Sequence, residues 1–291
     1  MQIYDFWYND SGDSMILMTG EQLSQDMKDE LKTEIKGYMI KPCFAVIQVG
    51  DSLASILSIQ QQIKICNEIG VYLKHFQFPD ETKEIEVINK IVELNNDDYV
   101  NGITLSLPLP EKYNQEKLIN YIARNKDVNG LTDLNVGKLW NNKKTYIPCI
   151  PNAVIQILDL YNVMLEGKNA LIIGKNALLG KPMAELLLEK DATVTVCHEK
   201  TEDIKKYVKD ADIIICCSEQ KDIFDSSIIK DGAVIIFANN INLEKDDSKE
   251  LENIKKKCSF FATLEDGIMS VAILLQLKNV VEAYRKMNIE K

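Results

Sequence analysis

GKNALIIGKNALLGKPMAELLLEKDATVTVCHE, residues 167–199, decides the fold. An apolar run, ALII, meets a glycine at Gly174. A second glycine, Gly180, opens a segment with helical spacing, MAELLLEK. A β-branched run, TVTVC, follows after DA. Strand, glycine turn, helix, strand in these proportions is a mononucleotide-binding βαβ unit of a parallel sheet. Two more apolar runs downstream, ADIIICC (211–217) and GAVIIFA (232–238), extend the sheet. A last helix is expected over SVAILLQLKNVVEAYRKM (270–287).

Upstream the same alternation recurs. MTGEQLSQDMKDELKTEIKG (18–37) has helical spacing, and PCFAVIQVG (42–50) is a continuous apolar strand. SILSIQQQIKIC (55–66) continues to Gly70 as a helix, with Ile56, Ile59 and Ile63 as its buried stripe. VYLKHFQFP (71–79) alternates as a strand, EIEVINKIVELNND (84–97) is a helix, and NGITLSLPLP (101–110) is a strand entering a proline loop. Strands alternating with helices make this half α/β as well. With 291 residues the chain has room for two domains.

Composition narrows the function classes. Net charge is −10 and the isoelectric point about 4.9, which opposes broad binding to nucleic acid. Aromatic residues are 7% of the chain and scattered, so no base-stacking platform stands out. Seven cysteines lack any CxxC pair and read as reduced core thiols of a cytoplasmic protein. With two histidines and no ligand spacing, no metal site is expected. The first 15 residues lack a signal-peptide pattern, and no apolar run approaches the length of a membrane span.

The turn from Gly174 to Pro182 is spaced G-x5-G. Its glycines either let backbone N–H groups cradle a phosphate or merely close a tight strand-to-helix turn. Glu199 ends the next strand, where an acid holds ribose hydroxyls in dinucleotide folds; it also reads as a solvated strand-end glutamate. Lys175 can pair with a phosphate or with Glu199. His198 stands beside the same strand end and reads as structural before catalytic.

Taken together, VGDSLAS, SLPLP, KDVNGLTDLNVGKL, PCIP, GKPMAELLLEKDATVTVCH and ADI…KDGAVII occur in one order. That order resembles the bifunctional methylenetetrahydrofolate dehydrogenase/methenyltetrahydrofolate cyclohydrolase family, from about residue 15 to the C-terminus. The resemblance implies an α/β folate-type substrate domain over 1–147 plus 270–291 and a Rossmann domain over 148–269. It further implies a homodimer and a small-molecule ligand in the cleft between the domains, with NAD or NADP as cofactor. The active site is expected on the helix that begins at Ser55. The family's stacking tyrosine and catalytic lysine fall on Ser58 and Gln62. Its supporting glutamine falls on Ser106, and the aspartate that grips the pterin falls on Asn129. On the cofactor side the family's G-R-S becomes Gly174-Lys175-Asn176, with Gly180 retained. A serine that contacts the 2′-phosphate becomes Glu199, which favours NAD. Glu219 and Ala153 replace glycines, Phe237-Ala238-Asn239 replaces D-V-G, and residues 262–268 replace a proline- and glycine-rich loop.

These departures carry physical consequences. An amide at position 62 neither holds nor releases a proton near neutral pH. An amide at 129 accepts one of the two pterin donors and presents its own donor to the other. Lys64 lies about 200° round the helix from Gln62, so Cys66 is the one potential nucleophile on that stripe. Three readings stay open: a binding or regulatory homologue without the family chemistry, an NAD-linked divergent enzyme, and an active enzyme with unusual residues.

Overall fold

In the computed structural model, residues 6–8, 14–218, 225–239 and 247–289 are described. Glu219 lies outside them. In chain order the elements are β1 (Phe6–Tyr8), β2 (Ser14–Leu17), α1 (Glu21–Lys36), β3 (Cys43–Val49), α2 (Leu53–Ile69), β4 (Tyr72–Phe78), α3 (Glu84–Asn96) and β5 (Gly102–Leu105). Two short helices, α4 (Gln115–Asn120) and α5 (Asp133–Leu139), precede α6 (Cys149–Leu160). Then come β6 (Asn169–Ile173), α7 (Gly180–Leu188), β7 (Thr193–Cys197), α8 (Lys205–Asp210), β8 (Ile213–Cys216) and β9 (Val234–Phe237). The chain closes with α9 (Asp247–Lys257), β10 (Phe260–Thr263), one wide turn over Leu264–Ile268 and α10 (Met269–Ile289).

The chain folds into two compact units, one of Ser24–Cys149 with Ile273–Lys291 and one of Met1–Leu23 with Ile150–Ala272. The first is built on a parallel three-stranded sheet of order β4-β3-β5. Every residue of β3 is buried because it is the middle strand, which is why its sequence is apolar without alternation apart from Gln48. β4 is an edge and alternates, burying fewer of its side chains. Ile47 of β3 stands opposite Leu105 of β5, so both strands end on the same edge of the sheet. Ser52 caps α2 there, its hydroxyl accepting from the backbone N–H of Ser55 at 3.2 Å.

Lys126 is 2% exposed in this unit. Its ammonium donates to the carbonyl oxygens of Leu94 and Asp97 at 3.0 and 2.8 Å, satisfying the C-terminal end of α3. Burial holds its pKa below the ordinary lysine value.

The second unit carries a seven-stranded sheet of order β1-β2-β10-β9-β8-β6-β7. All neighbours are parallel except β1 and β2. From β6 onward the order is that of a doubly wound sheet, with its switch point between β6 and β8. The chain divides differently here from the expected 1–147 boundary. The segment ending at Leu23 groups with this unit and not with the folate-type half. The reason is strand pairing: Ser14–Leu17 runs parallel to β10, Ile16 opposite Phe260, and so extends the Rossmann sheet.

α6 starts at Cys149, because Pro151 in a first turn needs no hydrogen-bond donor. Two smaller points differ from the sequence reading. Ile59, Ile65 and Ile69 are the buried isoleucines of α2, whereas Ile56 and Ile63 are only half-buried. Residues Leu264–Asn288 are long and apolar enough to cross a membrane by length and composition, contrary to the expectation from the sequence; 67% of an apolar 18-residue window within them is buried inside the protein.

Candidate functional site

The polar stripe of α2 turns inward. Ser55, Gln62 and Cys66 are buried, Ser58 is half-buried and Lys64 is exposed. Gln62 Nε2 donates to Gln276 Oε1 of α10 at 3.5 Å, the long limit of a hydrogen bond. Gln62 Oε1 is buried with no hydrogen-bond partner among the described residues. An orphaned buried acceptor costs about 1–3 kcal/mol, so this amide is poised to take a donor. Burial pushes the Cys66 thiol up to about 12. It is therefore no thiolate near neutral pH, and the one potential nucleophile of the stripe is removed. Gln276 was not among the sequence candidates. Its signal was its polarity inside the apolar run SVAILLQLKNVV.

Ser106 leaves the carboxyl end of β5, its backbone N–H donating to Ile47 O at 2.8 Å. It thus starts from the same sheet edge as α2. Asn129 is half-buried and borders a cavity of about 10 Å³ with Asp127 and apolar residues of β5. That is room for one water at most. The acid retained in KDVNG, Asp127, is 1% exposed. Its Oδ2 accepts from the Thr132 backbone N–H at 2.8 Å and from Asn135 Nδ2 at 2.7 Å. It is therefore committed to holding the loop. His75 is tied to Gln48 at 2.9 Å within the sheet, and burial lowers its pKa.

In the second unit the glycine turn lies at the switch point. Gly174 has φ of +118°, and a Cβ there would stand 3.0 Å from Ser218 Cβ. A Cβ on Gly180 would stand 1.9 Å from Gly174 O. The turn itself therefore demands both glycines, and their spacing alone does not decide for a ligand. Two other atoms do. Ser218 Oγ and Asn239 Oδ1, past the carboxyl ends of β8 and β9, are buried without a partner among the described residues. This is where doubly wound sheets take dinucleotides, and the residues present fit one.

Asn176 complicates the fit. Its Oδ1 accepts from Leu179 N at 2.7 Å, and its Nδ2 donates to Cys217 O at 2.8 Å. Part of the N-terminal end of α7 is thus already capped from within the chain. Lys175 pairs with Glu199 at 3.1 Å, both half exposed or more. The Glu199 carboxyl is held below the usual range, first by its own backbone N–H and then by Lys175. His198 Nδ1 accepts from the Lys200 backbone N–H at 3.1 Å, a turn contact.

The tetrahydrofolate dehydrogenase/cyclohydrolase catalytic-domain model matches residues 18–129, and the NAD(P)-binding-domain model of the same enzymes matches residues 148–288. The chain belongs to this family. Bifunctional protein FolD of Clostridium tetani is 35% identical over 280 residues, covering 93% of this chain and 99% of that protein. The crystal structure of FolD from Campylobacter jejuni superposes with a TM-score of 0.86 at 34% identity, covering 94% of this chain and 99% of that one. The NAD-dependent 5,10-methylenetetrahydrofolate dehydrogenase of Saccharomyces cerevisiae, 21% identical with a TM-score of 0.77 and coverage of 94% and 98%, shares the fold. The two-domain α/β architecture expected from the sequence is that of the family, and its C-terminal domain is the nicotinamide-cofactor domain.

Proposed function

We propose that this family member binds a folate-like small molecule but no longer performs the family's cyclohydrolase chemistry. Gln62 carries this reading. It occupies the position that the resemblance gives to a catalytic lysine, it is buried against Gln276, and burial keeps the Cys66 thiol of the same stripe protonated near neutral pH. Ser58, Ser106 and Asn129 compound the loss: no aromatic face at 58, no long amide at 106, and no carboxylate at 129 for two pterin donors. Purified protein given methenyltetrahydrofolate is expected to show no hydrolysis above the uncatalysed rate. Turnover that disappears in Gln62→Ala overturns the reading.

The orphaned atoms Ser218 Oγ and Asn239 Oδ1 favour a second reading in which a nicotinamide dinucleotide still binds. Gly174 and Gly180 would admit its phosphates, and Glu199 would hold ribose hydroxyls and repel a 2′-phosphate, so NAD is preferred over NADP. Bound, the nicotinamide supplies a hydride acceptor. Calorimetry should give saturable NAD binding, with NADP at least about tenfold weaker. Glu199→Ser should narrow that gap, and no binding at millimolar NAD removes this reading. The assembly we propose is a homodimer, with its seven unpaired buried thiols suited to the reducing cytoplasm, and without nucleic-acid or membrane partners.

A further inference from the structure

A second cavity, of about 210 Å³, opens in the first unit between the loop before KDVNG, the segment at residues 144–146 and the last turns of α10. Arg124, Lys144 and Lys286 line it, with Glu282 as the one acid on its wall. Among the described residues Arg124 and Lys144 make no ion pair, while Lys286 pairs with Glu282 at 2.7 Å. Three cations in one cavity contrast with a chain whose net charge is −10.

The floor is built. Asn135, 2% exposed, donates through Nδ2 to Asp127 Oδ2 at 2.7 Å and to the Arg124 carbonyl oxygen at 3.2 Å. Its Oδ1 accepts from Thr145 Oγ1 at 2.7 Å. This network fixes the backbone that carries Arg124 and Lys144. Tyr146, 6% exposed, also lines the cavity, and its hydroxyl has no hydrogen-bond partner among the described residues. Lys286 Nζ lies over its ring, 5.0 Å from the centroid. Burial, first, and then Glu282 push its pKa up to about 12, so it is a donor at any ordinary pH. A hydroxyl donor and two cations without an ion pair on the wall of one cavity make a lining that suits an anion.

We propose that this cavity binds a small phosphate-bearing ligand, either free phosphate or a phosphate monoester, away from the folate-type slots. Met287 on its wall accepts from Asn101 Nδ2 at 3.4 Å, before the start of β5, whereas Ser106 follows the end of that strand. The two places are thus at opposite ends of β5. Among lining residues the cations exceed the acid by two, which matches a phosphate carrying about −1.5 to −2 at pH 7 better than a single carboxylate. Asp127, beneath Asn135, is the further acid nearby and is already committed to two donors. The volume admits a phosphate with a few carbon atoms.

Calorimetric titration of the whole chain with inorganic phosphate, and separately with glycerol phosphate, at constant ionic strength tests this. Saturable binding is expected, weakened at least about tenfold in Arg124→Ala and in Lys286→Ala, and less in Tyr146→Phe. Tighter binding of the monoester would identify a metabolite as the source; equal binding, the free ion. Lys175→Ala should leave the affinity unchanged. No saturation by about 50 mM, or affinity that survives Arg124→Ala and falls in Lys175→Ala, overturns the proposal, the latter by placing the anion at the glycine turn.

Discussion

A combined variant, Ser58→Tyr, Gln62→Lys, Ser106→Gln and Asn129→Asp, is expected to hydrolyse methenyltetrahydrofolate at least about 10²-fold faster than the wild-type chain. That factor is the lower end of what one positioned acid or base contributes, and position 62 supplies it. A lysine there would be buried beside Gln276 Oε1, and desolvation would lower its pKa toward the neutral range where proton transfer is most effective. The tyrosine restores a stacking face, and the aspartate accepts both pterin donors. Loss of substrate absorbance measures the rate. Gln62→Lys alone should gain less, because the pterin would remain poorly held. A combined variant that folds and binds folate yet stays at the wild-type rate would mean that the lost chemistry resides elsewhere, in residues 262–268 or in the altered turns.

How far the sequence reaches depends on the range of the interaction. β6, α7 and β7 were legible because each is coded locally, by an apolar run, a glycine turn and helical spacing. So was the burial of β3, whose unbroken apolar run fits a central strand. The placement of Ser14–Leu17 was not legible. Ile16 and Leu17 pair with Phe260 and Phe261 across most of the chain, and no local pattern announces a partner so distant. The site shows the same divide. Position 62 could be found from motif spacing, but the contact that defines its environment is 214 residues away, with Gln276. The sequence also assigned the inward stripe of α2 to Ile56, Ile59 and Ile63. Helical periodicity names a set of faces; packing on the sheet, with the contact from Gln62 to Gln276 of α10, puts Ser55, Ile59, Gln62 and Cys66 on the buried one.

The largest stability loss is expected at Asp127. Asp127→Ala removes the acceptor of two buried donors, the Thr132 backbone N–H at 2.8 Å and Asn135 Nδ2 at 2.7 Å. At about 1–3 kcal/mol for each of the two donors left unsatisfied, the loss should be about 2–6 kcal/mol, a large share of a domain's usual margin. The network is compact, so the damage spreads along it. Thr132 caps α5 by accepting from Asn135 N at 3.4 Å, and Asn135 in turn holds the Arg124 carbonyl and Thr145. Asp127→Asn keeps one oxygen in place and should lose about half as much. Urea unfolding followed by circular dichroism reads both variants, and a loss below about 1 kcal/mol in Asp127→Ala would show that water replaces the carboxylate. The same variant makes a joint demand on the anion cavity. If Asp127 fixes the floor through Asn135, Asp127→Ala must weaken phosphate binding under conditions where the chain is still folded, although Asp127 is an acid whose removal should favour an anion by simple Coulomb attraction. The sign of that change separates the two effects: weaker binding means that the carboxylate acts by ordering Arg124, and tighter binding means that it acts only through its charge.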